Sequence, residues 1–424
     1  MTRPRRDRSG PTDLRRPEAA PFRRMRLAAL AVGGPAALGC ALLTVGAHVP
    51  SIGFLGHAGS VVLPQSAPRI LLLSVAAAGL ALWAGVGGRG ARRITSRLIA
   101  LTAGLAAVGA AAVIVRTLDT ARANGVRVSL RQAISANPPD FPAGPDETEV
   151  YVTDLGERLQ VSIYRPGTQA PQGGWPVLIY VHGGGWVSGS RLQRSADMRW
   201  FADHGWLVVS ADYSLSSPRR HLWDRTVRQI GCAMAWTGAN IGRYGGNPAR
   251  LAMFGDSAGG ALAINAAYMA DRGGLQPVCG GAVPRVSAIS AAYPALDATG
   301  FHDNRDSYLG AYARRMTTAY LGGSPQQVPE RYAAVTSATY ISPAAPPTLL
   351  LVGENDRLVP PEGAYDFAAK ARRAGVEVRL IRVPYADHSF DARPGVLNQL
   401  VRQTTLAFLE RHAGGGAGQP AVRP

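Results

Sequence analysis

Three short stretches carry residues whose types and spacing can do chemistry. In Gly255-Asp256-Ser257-Ala258-Gly259 a serine stands between two glycines. The preceding run RLAMF reads as a strand, and a helix begins near Ala258. At a strand-to-helix junction this pattern is a nucleophile elbow, a sharp turn that holds the serine strained above the sheet. The bare pattern arises by chance in a chain with 50 glycines. Its position at the junction is what singles out Ser257.

The second stretch is His182-Gly183-Gly184-Gly185-Trp186, which ends the strand WPVLIYV. A glycine-rich loop serves positive backbone angles or cradles phosphate. One βαβαβ span before the elbow, its amides can instead point at the oxyanion of a tetrahedral intermediate. The amide of Ala258 adds a further donor. Losing one such donor typically costs ~3–4 kcal/mol of transition-state stabilisation. His182 reads as a brace for the loop rather than a base.

The third is the order serine, acid, histidine. The strand PTLLLVGEND ends in Glu354, Asn355 and Asp356, and the last strand leads into Tyr385-Ala386-Asp387-His388-Ser389-Phe390. His388 holds the position of the general base. Asp356 is the expected orienting acid because it opens the turn after the penultimate strand. Asp387, Glu354 and Asp297 are its rivals, and Asp387 is expected to point away from its neighbour His388.

These residues need a sheet to position them. EVYVTD and LQVSIYRP read as a leading antiparallel pair. WPVLIYVHG, WLVVSADY, RLAMFGDS, VSAISAAYP, PTLLLVGEND and VEVRLIRVP follow as buried strands. Apolar runs such as VLIYV and TLLLV suit a parallel sheet covered on both faces. Between them, stretches such as DRTVRQIGCAMAWTGANI repeat apolar residues at helical spacing. The pattern predicts an α/β, doubly wound, mostly parallel sheet over 148–412, with 298–345 inserted as a cap.

HGGGW, GDSAGG, GENDRLVPP and ADHSF in this order, with Tyr244-Gly245-Gly246-Asn247-Pro248 before the elbow strand, resemble the bacterial carboxylesterase and lipase group of α/β-hydrolases. The hormone-sensitive-lipase-like and isoprenylcysteine-methylesterase-like enzymes are the most similar branches. The resemblance covers about 148–410. It implies oxyanion roles for Gly184, Gly185 and Ala258, and triad roles for Ser257, Asp356 and His388. Asp212-Tyr213-Ser214-Leu215-Ser216-Ser217 departs from the Asp-Tyr-Arg-Leu-Ala-Pro common in the lipase-like branch, which leaves the branch and the substrate size open.

The remaining third has a different composition. The net charge of +17 invites a nucleic-acid reading, but residues 1–26 carry nine arginines against three acids and 88–97 adds four more. From 117 onward 30 basic residues face 25 acidic ones. The basic residues flank uncharged apolar segments at about 27–47, 70–87 and 98–115, each long enough to cross a hydrocarbon core of ~30 Å. Three membrane helices are therefore expected over 25–117, followed by a juxtamembrane linker or cap segment at 118–147. Loose tails are expected at 1–24 and 413–424, and a nucleic-acid role is not.

A cleaved signal peptide competes for the first segment, and Ala37-Leu38-Gly39-Cys40 hints at a lipoprotein site. Two further apolar segments and Ala37 in place of leucine favour a membrane helix. Arginines in the tail and at 88–97 set the amino terminus in the cytoplasm, so the third helix leads outward. Arg116 is one charge against thirteen in the opposite sense. The large domain is then expected outside the cytoplasm. There Cys232 and Cys279 could pair, or remain two buried thiols.

The expected function is a membrane-anchored serine carboxylic ester hydrolase, an esterase or lipase, acting on a small-molecule ester or a lipid through an acyl-enzyme. An acyltransferase on cell-envelope substrates and a catalytically silent binding module on the same fold are the alternatives. No cofactor and no metal are expected, since no H-x-x-H, H-E-x-x-H or paired C-x-x-C spacing occurs.

Overall fold

The structure is a computed structural model that describes residues 20–135 and 144–414. Most of the two expected tails, and 136–143 of the expected linker, lie outside these residues. The chain divides into two compact units, Met1–Ala41 with Ile70–Val108, and Leu42–Arg69 with Gly109–Pro424.

Three helices hold the apolar segments: α1 (Ala20–His48), α2 (Gly53–Gly85) and α3 (Ala91–Ala123), each long and apolar enough to cross a membrane. Within the first unit the small side chains face inward. Ala37, Ala77 and Ala103 form a buried cluster. Val32, Leu72, Val75, Leu82, Leu101 and Leu105 are exposed. Water would drive the reverse arrangement, whereas lipid favours close packing through small residues.

The helices run longer than the sequence suggests, and α2 absorbs most of what reads as a loop at 48–69. Gly53, Pro64 and Pro68 suggest a break in isolation. Here the stretch packs within the second unit, and Gln65 Nε2 donates to the carbonyl of Val61 at 2.9 Å inside the helix. At ~1.5 Å per residue, a helix of 33 residues exceeds what ~30 Å of hydrocarbon requires. The short helix α4 (Leu130–Ser135) follows α3.

The second unit is built on one eight-stranded sheet. Its strands are β1 (Glu147–Asp154), β2 (Glu157–Tyr164), β3 (Trp175–Val181), β4 (Leu207–Ala211), β5 (Gly246–Asp256), β6 (Ala288–Ala292), β7 (Thr348–Gly353) and β8 (Val378–Val383). Their order is β1-β2-β4-β3-β5-β6-β7-β8. β2 pairs antiparallel with both β1 and β4, and all other pairs are parallel.

Alternation along β3 shows why the sheet is covered twice. Val177, Ile179 and Val181 join a core with Ile230, Leu262 and Phe367, from α6 (Thr226–Asn240), α7 (Ser257–Asp271) and α11 (Glu362–Arg373). Leu178 and Tyr180 join the opposite core with Phe201 of α5 (Ser195–Asp203) and Leu400 and Phe408 of α12 (Val396–Ala413). Side chains of successive residues point to opposite faces, so a central strand is apolar along most of its length. Between β6 and β7 the rhythm is interrupted by α8 (Ala298–His302), α9 (Gly310–Leu321) and α10 (Pro329–Val335). Cys232 of α6 is disulfide-bonded to Cys279, with 5.8 Å between their Cα atoms.

Candidate active site

The chemistry-bearing loops leave the sheet at the carboxyl ends of β3, β5, β7 and β8, the edge at which open α/β sheets present their ligands. β5 ends at Asp256 and α7 begins at Ser257 with no loop between them. Ser257 consequently takes a left-handed φ of 52°. The turn is this tight because Gly259 lies against β3: a side chain there would collide with the carbonyls of Val181 and His182.

Ser257 Oγ lies 2.9 Å from His388 Nε2, and His388 Nδ1 lies 2.8 Å from Asp356 Oδ2. A carboxylate only accepts, so Nδ1 carries the proton and Nε2 is left to accept from the serine. The other oxygen of Asp356 takes the amides of Leu358 at 3.1 Å and Val359 at 2.8 Å, which fixes the carboxylate in its turn. Burial pushes the Asp356 carboxyl above its ordinary value, offset in part by His388. Burial by itself would lower the His388 imidazole. The charge and hydrogen bond of Asp356, with the charges of Asp387 and Asp256, outweigh it and hold His388 above its ordinary value.

The three rival acids lie elsewhere. Glu354 pairs with Arg382 at 3.1 Å, and Asp297 stands at the head of α8. Asp387 is fully buried, but its Oδ1 accepts the amides of His388 at 2.7 Å and Arg357 at 2.9 Å, and its Oδ2 meets His57 Nδ1 at 3.1 Å.

The glycine loop borders the serine. A Cβ placed on Gly183 would sit 3.2 Å from that of Ser257. The carbonyl of Gly184 turns back to accept the amides of Val187 at 3.1 Å and Ser188 at 3.0 Å. Gly185, with φ of 61°, lies under Met316 of α9, which a side chain at 185 would strike. His182 braces the loop. Its Nδ1 donates to the carbonyl of Gly183 at 2.7 Å, its ring stacks on Tyr213 at 4.2 Å, and burial holds its imidazole below the ordinary value. Ala258 follows the serine at the start of α7, where amides and the helix dipole favour negative charge.

Three contributors escape the sequence reading. Tyr293, just past β6, sets its ring 4.8 Å from His388 and donates from its hydroxyl to Asp391 at 2.6 Å. Its only signal is an aromatic at a strand's carboxyl end. Met316 carries no local signal at all. His57 belongs to a stretch that reads as an extramembrane loop.

A family model described as BD-FAE matches residues 161–371. Esterase LipQ of Mycobacterium tuberculosis (strain ATCC 25618 / H37Rv) is 32% identical over 280 residues, 65% of this chain and 62% of the relative. The probable carboxylic ester hydrolase LipM of the same strain is 31% identical over 281 residues, 65% of this chain and 64% of the relative. The match thus spans less than two thirds of these curated relatives. Esterase 2 of Thermogutta terrifontis, solved phosphoramylated by tabun, superposes with a TM-score of 0.51 at 23% identity, covering 66% of this chain and 99% of that one, and shares the fold. This sheet and these strand-end loops give the chain the α/β-hydrolase fold, and its sequence is similar to those of bacterial carboxylic ester hydrolases.

Proposed function

We propose that the protein is a membrane-anchored serine carboxylic ester hydrolase acting through an acyl-enzyme. The observation that carries the reading is the continuous hydrogen-bonded line from Ser257 Oγ through His388 to Asp356. Ser257 Oγ attacks the ester carbonyl as its proton passes to His388 Nε2. The charge forming on the carbonyl oxygen is taken by the amides of Gly184, Gly185 and Ala258. Asp356 holds the ring and stabilises the imidazolium. The imidazolium then protonates the departing alcohol, leaving the acyl group on Ser257. Water, deprotonated by the same Nε2, attacks the acyl-enzyme and releases the acid, and the proton returns to Ser257.

Anchoring is supported by α1–α3, with large apolar side chains turned outward and alanines inward. The arginines of the amino-terminal stretch and of 88–97 support a cytoplasmic amino terminus and a hydrolase outside.

The test uses the full chain in detergent or lipid nanodiscs. A fluorophosphonate probe should label Ser257, and p-nitrophenyl esters of increasing chain length should be turned over. Folded protein that neither labels nor hydrolyses any ester of the series would make it a binding module instead.

A further inference from the structure

Within the second unit, the end of α1 and the start of α2 pack on the two loops that carry Asp356 and His388. On the acid loop, Asn355 Nδ2 donates to the carbonyl of Ala47 at 3.3 Å and Arg357 Nη1 to that of Gly53 at 2.6 Å. On the histidine loop, the ring of Tyr385 sits 4.8 Å from that of His48, and His57 Nδ1 meets Asp387 Oδ2 at 3.1 Å. The histidine loop needs such support. Tyr385 and Ser389 both hold left-handed φ angles, 61° and 56°, which side chains other than glycine adopt only when their surroundings impose them.

We propose that His57 is a positioning residue for His388, acting through Asp387. The proposal rests on the esterase reading above. Because Asp387 accepts only, His57 must donate from Nδ1. The donation completes the partners of a fully buried carboxylate whose other oxygen ties the amide after Asp356 to the amide of His388. One carboxylate thereby fixes the acid loop against the base loop, and His57 holds that carboxylate in place. Without the donor, Asp387 keeps a buried, under-satisfied oxygen and swings toward other partners, loosening both amides. The titratable and charged groups around it are His57, His388, Asp356 and Arg357, the last already ion-paired with Asp306. The ring of His57 also lies 5.3 Å from that of Tyr308, so packing and hydrogen bonding must be separated by experiment.

The test compares full-length parent, His57→Phe, His57→Asn and Tyr308→Ala on a soluble short-chain ester. Active-site titration with a fluorophosphonate restricts kcat to folded molecules. His57→Phe keeps a ring and loses the donor. It should lower kcat by about 10- to 100-fold, as for a misplaced catalytic group, with KM little changed. Its rising pH limb should move upward, because the charge of Asp387 then bears unrelieved on His388. His57→Asn, with an amide donor in place of Nδ1, should recover most of the loss, and Tyr308→Ala should retain parental kcat. Parental kcat and pH limb in His57→Phe, no recovery in His57→Asn, or equal damage from Tyr308→Ala would each overturn the proposal. A parent that neither labels nor turns over would overturn the esterase reading instead.

Discussion

Asp387 turns its carboxylate away from the imidazole of its neighbour His388 and onto that residue's own amide, at 2.7 Å. The same oxygen takes the amide of Arg357 at 2.9 Å, so the carboxylate next to His388 spans two loops rather than orienting a ring. Asp356, 32 residues away in sequence, reaches the ring nitrogen instead.

The two acids should therefore fail differently. Asp356→Asn should cost ~10⁴-fold in kcat, because an amide facing Nδ1 favours the wrong tautomer. Asp387→Asn keeps an oxygen for the two amides and should cost about tenfold, the effect of a loosened loop. Steady-state kinetics on both variants check this. A larger loss in Asp387→Asn would exchange their roles.

Ser257→Ala should reduce ester hydrolysis to background and abolish fluorophosphonate labelling, with an unchanged melting midpoint. In the proposed mechanism the hydroxyl is the attacking group, and alanine fits the same tight turn with one polar atom fewer. Turnover equal to the parent would remove Ser257 from the mechanism.

The pH dependence follows from the fields on His388. In the proposed mechanism Nε2 must be unprotonated to accept the serine proton, so kcat/KM should rise as the imidazolium is lost. Asp356, Asp387 and Asp256 hold the imidazole above its ordinary value. The rising limb should then lie above the ~6.5 of a free imidazole. Asp387→Asn removes one of those negative charges and should move the limb downward. An unchanged limb would place Asp387 outside the field that His388 feels.

Much of this site is legible in the chain because each piece sits where a buried strand stops. All eight strands stand out by apolar runs or alternation, since central strands covered on both faces leave little room for polar side chains. Strand ends then select Ser257, Asp356 and His388 from many serines, acids and histidines. What resists reading is long-range packing. Nothing near Gly53 says that the glycine- and proline-bearing stretch after it stays helical, because its support comes from residues around 355 and 387. Met316 and Tyr293 are ordinary residues until the fold sets one over Gly185 and the other beside His388.

Reducing the Cys232–Cys279 bond should lower stability without removing activity. The cysteines are 47 residues apart, and for a loop of that length the chain-entropy account gives roughly 4 kcal/mol. Thermal unfolding with and without reductant, and of a Cys232→Ala/Cys279→Ala double variant, reads the loss. Identical midpoints would mean that the bond adds nothing to the folded state in solution.

That double variant, with Cys40→Ala added, also supplies the cysteine-free background for a test of topology. One cysteine goes into the 88–97 loop and another just after His412. If the amino terminus is cytoplasmic, three spans carry the hydrolase outward. The end of α1 and the start of α2, which bond Asn355 and Arg357, lie on the hydrolase side. A membrane-impermeant thiol reagent should then label the position after His412 in intact cells, and the 88–97 position only after permeabilisation. The arginine count predicts this because arginines stay where they need not cross the membrane. The reverse pattern would put Ser257 in the cytoplasm. Reducing conditions there oppose a Cys232–Cys279 bond, so the labelling result and the unfolding result must agree. An inward hydrolase would also move the substrate search from envelope esters to cytoplasmic ones.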